Sequence, residues 1–225
     1  DKAIKSSYYV TKADFVACHN PSYIVKGYKI VNDVKPGGIF LLNCQWTPEE
    51  VEKHLPAEAK KYIAENDVKF YIVNAIDKAR EIGMGKRTNT ILQSAFFALA
   101  NIMPIDQAVE YMKAAAKKSY LKKGEAVVEM NYKAIDAGVD AIVKIDVPAS
   151  WKDAKAEEKV SEVKSNRPEM VKFVNEILKP VGMMQGDSLP VSVFADMADG
   201  TFPQGSSAFG KRGVAVDVPE WIPEN

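Results

Sequence analysis

DFVACHNPSY, residues 14–23, is an apolar run that stops at a Cys-His pair and passes into Asn-Pro. Asp14 to Cys18 reads as a short strand, nearly continuous in apolar side chains, of the kind a parallel sheet buries on both faces. Asn20 suits a helix N-cap. Pro21 suits the first helical position, where a missing N–H costs nothing. The stretch is therefore a strand handing over to a helix.

The same pattern recurs downstream. GIFLLN at 38–43 and KFYIVN at 69–74 are two more apolar runs of strand length. Lys35-Pro36-Gly37-Gly38 is a turn feeding the first of them. Thr47-Pro48-Glu49-Glu50 opens another helix, with both glutamates where the helix dipole favours negative charge. Residues 8–82 thus alternate strand and helix. The expected fold is α/β, a mostly parallel Rossmann-like sheet flanked by helices, followed by an irregular C-terminal linker segment.

From residue 87 the period becomes helical. Ile91, Leu92, Ala95, Phe96, Leu99 and Ile102 share one face of a helix that Met103-Pro104 should end. A second helix is expected from about Ile105 to Leu121. A third is expected from Glu125 to Ile145, with Val128, Tyr132, Ile135, Val139 and Ile142 as its stripe. Residues 150–166, SWKDAKAEEKVSEVKSN, read as a solvated helical segment or linker. Pro168 opens one more helix, which should stop before Pro180. Beyond Gly186 the expectation is irregular backbone with short β-type pieces at Val191–Phe194 and Val214–Val218.

The chain has 225 residues, with 30 Lys+Arg against 30 Asp+Glu, so its formal net charge is zero. That balance gives no basic footprint for a nucleic-acid partner. No apolar run approaches the ~20 residues of a membrane span. The start has no signal-peptide core, and a reducing cytoplasm is the expected compartment. With no initiator Met before Asp1 and a stop at PEWIPEN, the chain reads as cut at both ends.

Cys18 and Cys44 are the only cysteines, too few for a disulfide framework or a four-ligand metal site. Cys18-His19 could be a nucleophile with its base, half a metal site, or a strand end with reactive side chains. Neighbours on a strand point to opposite faces, which argues against a Cys–His pair. If the strand ends at Cys18, His19 and Asn20 lie at the carboxyl edge of the sheet, where open α/β sheets bind ligands. His54 reads as a mid-helix surface residue. A second candidate is GMGKRT, residues 83–88, ahead of a long helix. Gly85, Lys86 and Arg87 there would flank the positive helix end and suit a phosphate, with Thr88 or Asn89 as cap. The pattern is neither a P-loop nor a full GxGxxG. The bland alternative is a flexible turn with surface cations. In Asp199 to Asn225 no general acid, base or nucleophile stands out, and the stretch reads as a strap for a partner domain.

At this tail a family resemblance enters. GTFPQGSSAFGKRGVAVDVPEWIPEN closely resembles the segment of pyruvate:ferredoxin (or flavodoxin) oxidoreductases that precedes their ferredoxin-like domain. DFVACHNPSY, GGIFLLNCQW, IGMGKRTNTILQSAFFALANIMP and KKGEAVVEMNYKAID resemble that family's gamma-type domain, in order and at compatible spacing. Gly210 departs from an acidic residue common in the family, which would remove an ion-pair partner of Lys211 or Arg212. The resemblance implies residues 1–164 as a gamma-type domain lacking its N-terminal part. It implies residues 165–206 as a linker domain and 207–225 as the lead-in to an iron–sulfur domain. It implies a parent enzyme that turns pyruvate and coenzyme A into acetyl-CoA and CO2. That parent would use thiamine diphosphate, Mg2+ and 4Fe-4S clusters, pass electrons to ferredoxin or flavodoxin, and form a homodimer. This chain would carry no catalytic residue and bind no cofactor alone. Its partners would be the parent's other domains and CoA, the latter held by His19, Asn20, Gly85, Lys86 and Arg87. The alternatives are a purely structural module positioning the ferredoxin-like domain, or a free-standing Rossmann-like nucleotide binder.

Overall fold

The computed structural model describes residues 10–155, 163–210 and 219–223. The chain divides into two compact units, Asp1–Glu158 and Lys159–Asn225. No helix among the described residues is long and apolar enough to cross a membrane.

The first unit is built on a four-stranded sheet in the order β1 (Ala13–Cys18), β2 (Val34–Asn43), β3 (Lys69–Val73) and β4 (Ile142–Lys144). The first three strands are parallel, and β4 runs antiparallel to β3. The three apolar runs of the sequence are these three parallel strands. Alternation of side chains along them makes two cores. Phe40, Leu42, Phe70, Ile72 and Cys18 face one side. There they meet Ile24 of α1 (Pro21–Val25), Val51 of α2 (Pro48–His54) and Ile63 of α3 (Ala57–Glu65). Leu41 and Val73, with the half-buried Phe15, Ala17 and Tyr71, face the other. Their partners are α4 (Ala75–Ile82), α5 (Asn89–Ala100) and α7 (Glu125–Asp140). Phe40, Leu41 and Leu42 are buried on both faces, so β2 is the centre of the sheet.

The helix starts follow their signals. Asn20 Oδ1 accepts from the Ser22 amide at 3.0 Å, and Pro21 holds the first position of α1. Thr47 and Glu50 form a reciprocal capping box on α2. Between α5 and α7 runs α6 (Ile105–Tyr120). Gly138 lets α7 lie close on α5: a Cβ there would overlap the Ile91 carbonyl and stand 2.7 Å from Ser94 Cβ. At that crossing Ser94 Oγ donates to the Ile135 carbonyl at 2.5 Å.

Several expectations are corrected. α5 ends at Ala100, with Asn101 in the left-handed region, so Ile102 turns out to solvent and does not extend the stripe. α7 ends at Asp140, and Ile142 belongs to β4 rather than to a helical face. Its pairing partner is Val73, so the edge of β3 supplies hydrogen bonds that a longer helix would forgo. Trp151, in the stretch read as solvated, is 3% exposed and packs near Phe70 from a short 3-10 turn at Ala149–Asp153.

The second unit begins with α8 (Pro168–Phe173), widens into a π turn at Val174–Leu178, and continues as α9 (Lys179–Gly182). The helix therefore passes Pro180 instead of stopping before it. The wider turn sits just where a regular one would set the proline ring against the carbonyl four residues back. Met170, Phe173, Val174 and Ile177 make a small core, and Phe202 packs on Phe173 at 5.1 Å. Val191–Phe194 is not β-type; it lies in 3-10 turns from Val191 to Met197 after Pro190. Val214–Val218, Lys211 and Arg212 lie outside the described residues.

Candidate functional site

The carboxyl ends of the three parallel strands meet at one edge of the sheet. β1 delivers His19 and Asn20 there, both exposed. β2 ends on Asn43, which is 2% exposed. Its Nδ2 donates to the His19 carbonyl at 2.9 Å, and its Oδ1 accepts from the Ala75 amide at 3.1 Å. One buried side chain thus ties the β1 exit to the first residue of α4. β3 ends before Asn74, whose Oδ1 accepts from the Asp77 amide at 3.1 Å as the cap of α4. Asp77 in turn accepts from Asn74 Nδ2 at 2.8 Å, Gln45 Nε2 at 2.7 Å and Arg80 Nη1 at 3.1 Å. The Asn74 and Gln45 hydrogen bonds, helped by Arg80, hold its carboxyl below the usual carboxylate range.

Cys18 and His19 do not form a pair. Cys18 is buried, with its thiol 3.1 Å from the Asn20 carbonyl, while His19 faces solvent. Burial pushes the Cys18 thiol up. It pushes Cys44, also buried, up to about 11 despite a backbone hydrogen bond from Trp46. Both are neutral packed thiols at ordinary pH, the inert class of cysteine. His54 closes α2 rather than sitting inside it, and its ring stacks on Trp46 at 4.2 Å. Among the described residues no three His, Cys, Asp or Glu side chains are grouped to hold a metal ion. Two cysteines are too few for an iron–sulfur cluster held by this chain alone, since such a cluster takes four thiolates.

Gly85, Lys86 and Arg87 are exposed in the turn from α4 to α5. α4 ends on Gly83 in the left-handed conformation at φ 92°, and Gly85 is also left-handed at φ 62°. Among the described residues Lys86 and Arg87 have no ion-pair partner. Thr88 stands at the N-cap of α5 but makes no side-chain capping bond, so the first amides of that helix are without a side-chain acceptor. Cations beside an uncapped helix start form an anion-attracting surface. The structure brings His19 together with Asn20, and Gly85 together with Lys86 and Arg87. The two groups stand at opposite ends of α4, whose eight residues span about 12 Å.

Sequence reasoning missed Asn43, Asn74, Gln45 and Asp77. A signal existed: FLLN and YIVN each close an apolar strand on Asn, as DFVACHN does two residues late.

Two family models match the chain: pyruvate ferredoxin/flavodoxin oxidoreductase over residues 1–141, and a domain of unknown function over residues 156–215. The chain is 45% identical over 222 residues to a pyruvate:ferredoxin oxidoreductase of Moorella thermoacetica, covering 99% of this chain and 18% of that protein. It is 48% identical over 218 residues to a pyruvate-flavodoxin oxidoreductase of Enterobacter agglomerans, covering 97% of this chain and 18% of that protein. A crystal structure of a pyruvate oxidoreductase subunit from Thermotoga maritima aligns with a TM-score of 0.48 at 20% identity, over 61% of this chain and 67% of that one. The chain thus spans under a fifth of the length of these curated relatives. With a family model matched over residues 1–141, the chain belongs to the pyruvate ferredoxin/flavodoxin oxidoreductase family.

Proposed function

We propose that this chain is one part of a cytoplasmic enzyme that oxidatively decarboxylates pyruvate. The reaction joins the acetyl group to the sulfur of coenzyme A, releases CO2 and passes two electrons, one at a time, to ferredoxin or flavodoxin. In this reading the chain does no bond chemistry. It contributes to holding coenzyme A and to domain assembly, with residues 1–164 as a gamma-type domain, 165–206 as a linker domain and 207–225 as a lead-in. Thiamine diphosphate, its Mg2+ and the iron–sulfur clusters belong to other parts of the enzyme. The observation that carries the reading is likeness along 97–99% of the chain to pyruvate oxidoreductases of which it spans 18%.

The uncapped start of α5, beside Gly85, Lys86 and Arg87, supports this turn as the contact for the CoA phosphates. His19 and Asn20, across α4, would line a cleft at the sheet edge. The test is CoA binding by the whole enzyme carrying Lys86→Ala, Arg87→Ala or both. A lost charge-assisted hydrogen bond of ~1.5 kcal/mol raises the CoA Kd about tenfold for each cation. An unchanged Kd in the double variant overturns the assignment. Unchanged CoA binding with a loosened assembly would favour a purely structural module.

A further inference from the structure

The α5–α6–α7 face carries a groove that neither the sheet edge nor the α4–α5 turn uses. Its volume is about 350 Å3. Along α6 it is lined by Ala108, Tyr111, Met112, Ala115, Ala116 and Ser119, which recur at helical spacing. That stripe, carried one residue further to Tyr120, runs thirteen residues, or about 18 Å from first to last. Thr90, Gln93 and Phe97 of α5 form the opposing wall. The groove is therefore long, floored by small side chains and walled by aromatics. A helix laid in such a channel comes close to its floor while its large apolar residues meet the aromatic walls.

One end of the groove is strongly basic. Ser119 and Tyr120 lie between Lys117 and Lys118 on one side of the sequence and Lys122 and Lys123 on the other. All four lysines are exposed, and among the described residues none has an ion-pair partner. Lys123 Nζ lies 5.6 Å from the centre of the Tyr120 ring, so this charge stands over a residue that lines the groove. Leu121, between them, is 48% exposed. Four unpaired like charges on seven residues repel one another. A partner that brings carboxylates relieves that repulsion.

We propose that the α5–α6 groove docks an amphipathic helix of another polypeptide segment. Its apolar stripe fills the channel, and Asp or Glu residues near one end meet Lys118, Lys122 and Lys123. The basic end of the groove selects a helix that carries carboxylates at its matching end; a second copy of this groove, whose basic ends would stand apart in an antiparallel pair, is read out separately by the cross-link.

The test is site-specific cross-linking in the whole enzyme, with a photoreactive phenylalanine analogue at position 111. Tyr111 is 57% exposed, so the substitution leaves the core in place. The expected result is a cross-link to a helical segment with an apolar i, i+3, i+4 pattern and acidic residues at one end. Changing Lys118, Lys122 and Lys123 together to Glu should cut its yield about tenfold, as should raising ionic strength toward 1 M. Ala115→Trp, which fills the floor at an exposed position, should abolish it with the melting temperature unchanged. No cross-link, a cross-link to position 111 of a second copy, or a yield insensitive to charge reversal would each overturn the proposal.

Discussion

Gly138→Ala sets two effects of known size against each other. In α7 the change removes a glycine from a helix, which by propensity alone stabilises by up to about 1 kcal/mol. The site opposes it. An added Cβ would overlap the Ile91 carbonyl, stand 2.7 Å from Ser94 Cβ and 3.0 Å from the Ile91 carbonyl carbon. Two of these three neighbours are backbone of α5, so they cannot swing aside as a flexible side chain would. The helices must separate, and α5 is pinned by Ile91, Leu92 and Ala95 in the core. Separation also lengthens the 2.5 Å bond from Ser94 Oγ to the Ile135 carbonyl. Overpacking against a fixed wall costs about 3 kcal/mol at the upper end of its usual range. The net is destabilisation by about 2 kcal/mol, or a melting temperature lower by about 4–8 °C for a chain of this size. Thermal and urea unfolding of the wild type and Gly138→Ala measure it. Lys133→Gly against Lys133→Ala, at an exposed site of the same helix, supplies the local propensity value. A Gly138→Ala chain as stable as wild type, or more so, would refute the close α5–α7 approach.

Other substitutions probe the sheet edge. Asn43→Ala leaves the His19 carbonyl and the Ala75 amide without their buried partner. It should cost about 2–4 kcal/mol in urea unfolding, and a change below about 0.5 kcal/mol would show that Asn43 ties nothing together. With burial raising both thiols, and Cys44 to about 11, neither should react with iodoacetamide at pH 8 until the chain is unfolded. The linked pH effect follows. The neutral thiol is favoured in the fold, so this contribution is complete below the unfolded thiol value near 9 and is lost as pH rises through about 11. Cys44→Ala should flatten that alkaline loss, followed as the urea midpoint against pH. Asp77 behaves in the opposite sense. Its lowered carboxyl stabilises above the ordinary aspartate range and loses this as pH falls, so Asp77→Asn should weaken the acid dependence of the urea midpoint.

Much of the fold was readable because strand and helix periods differ wherever a run is long enough. FVAC, GIFLLN and KFYIVN are flanked by polar or turn residues, and all three are strands of the parallel sheet. The failures sit where a run is too short to show a period. Ile142 lies three residues after Val139, a helical spacing, yet it is the first of three residues in β4. Val191–Phe194, apolar after a proline, has no strand to pair with among the described residues of its unit and closes into 3-10 turns. Trp151 was hidden by its charged neighbours: a single large side chain can insert into a core from a surface segment without any period. At residue 101 the sequence did hold the signal, since Asn tolerates the left-handed conformation that ends α5 and rotates Ile102 away.

The candidate residues reached from the sequence are the exposed ones, and chemistry explains why. His19 and Lys86-Arg87 attract attention as titratable or charged groups, and their places follow from a strand end and a helix start. Asn43 carries no charge and sits in an apolar run, so nothing in its type announces a role. Its importance comes from position: at the end of the central strand, both halves of its amide find backbone partners on different elements. That arrangement gives α4 a fixed origin. The chain from Asn43 through Ala75 to Gly83 is one buried amide, one capped helix and one left-handed stop. The Gly85–Arg87 turn hangs from the far end of it. His19 and Asn20 at the β1 exit and the Gly85–Arg87 turn thus lie near opposite ends of α4.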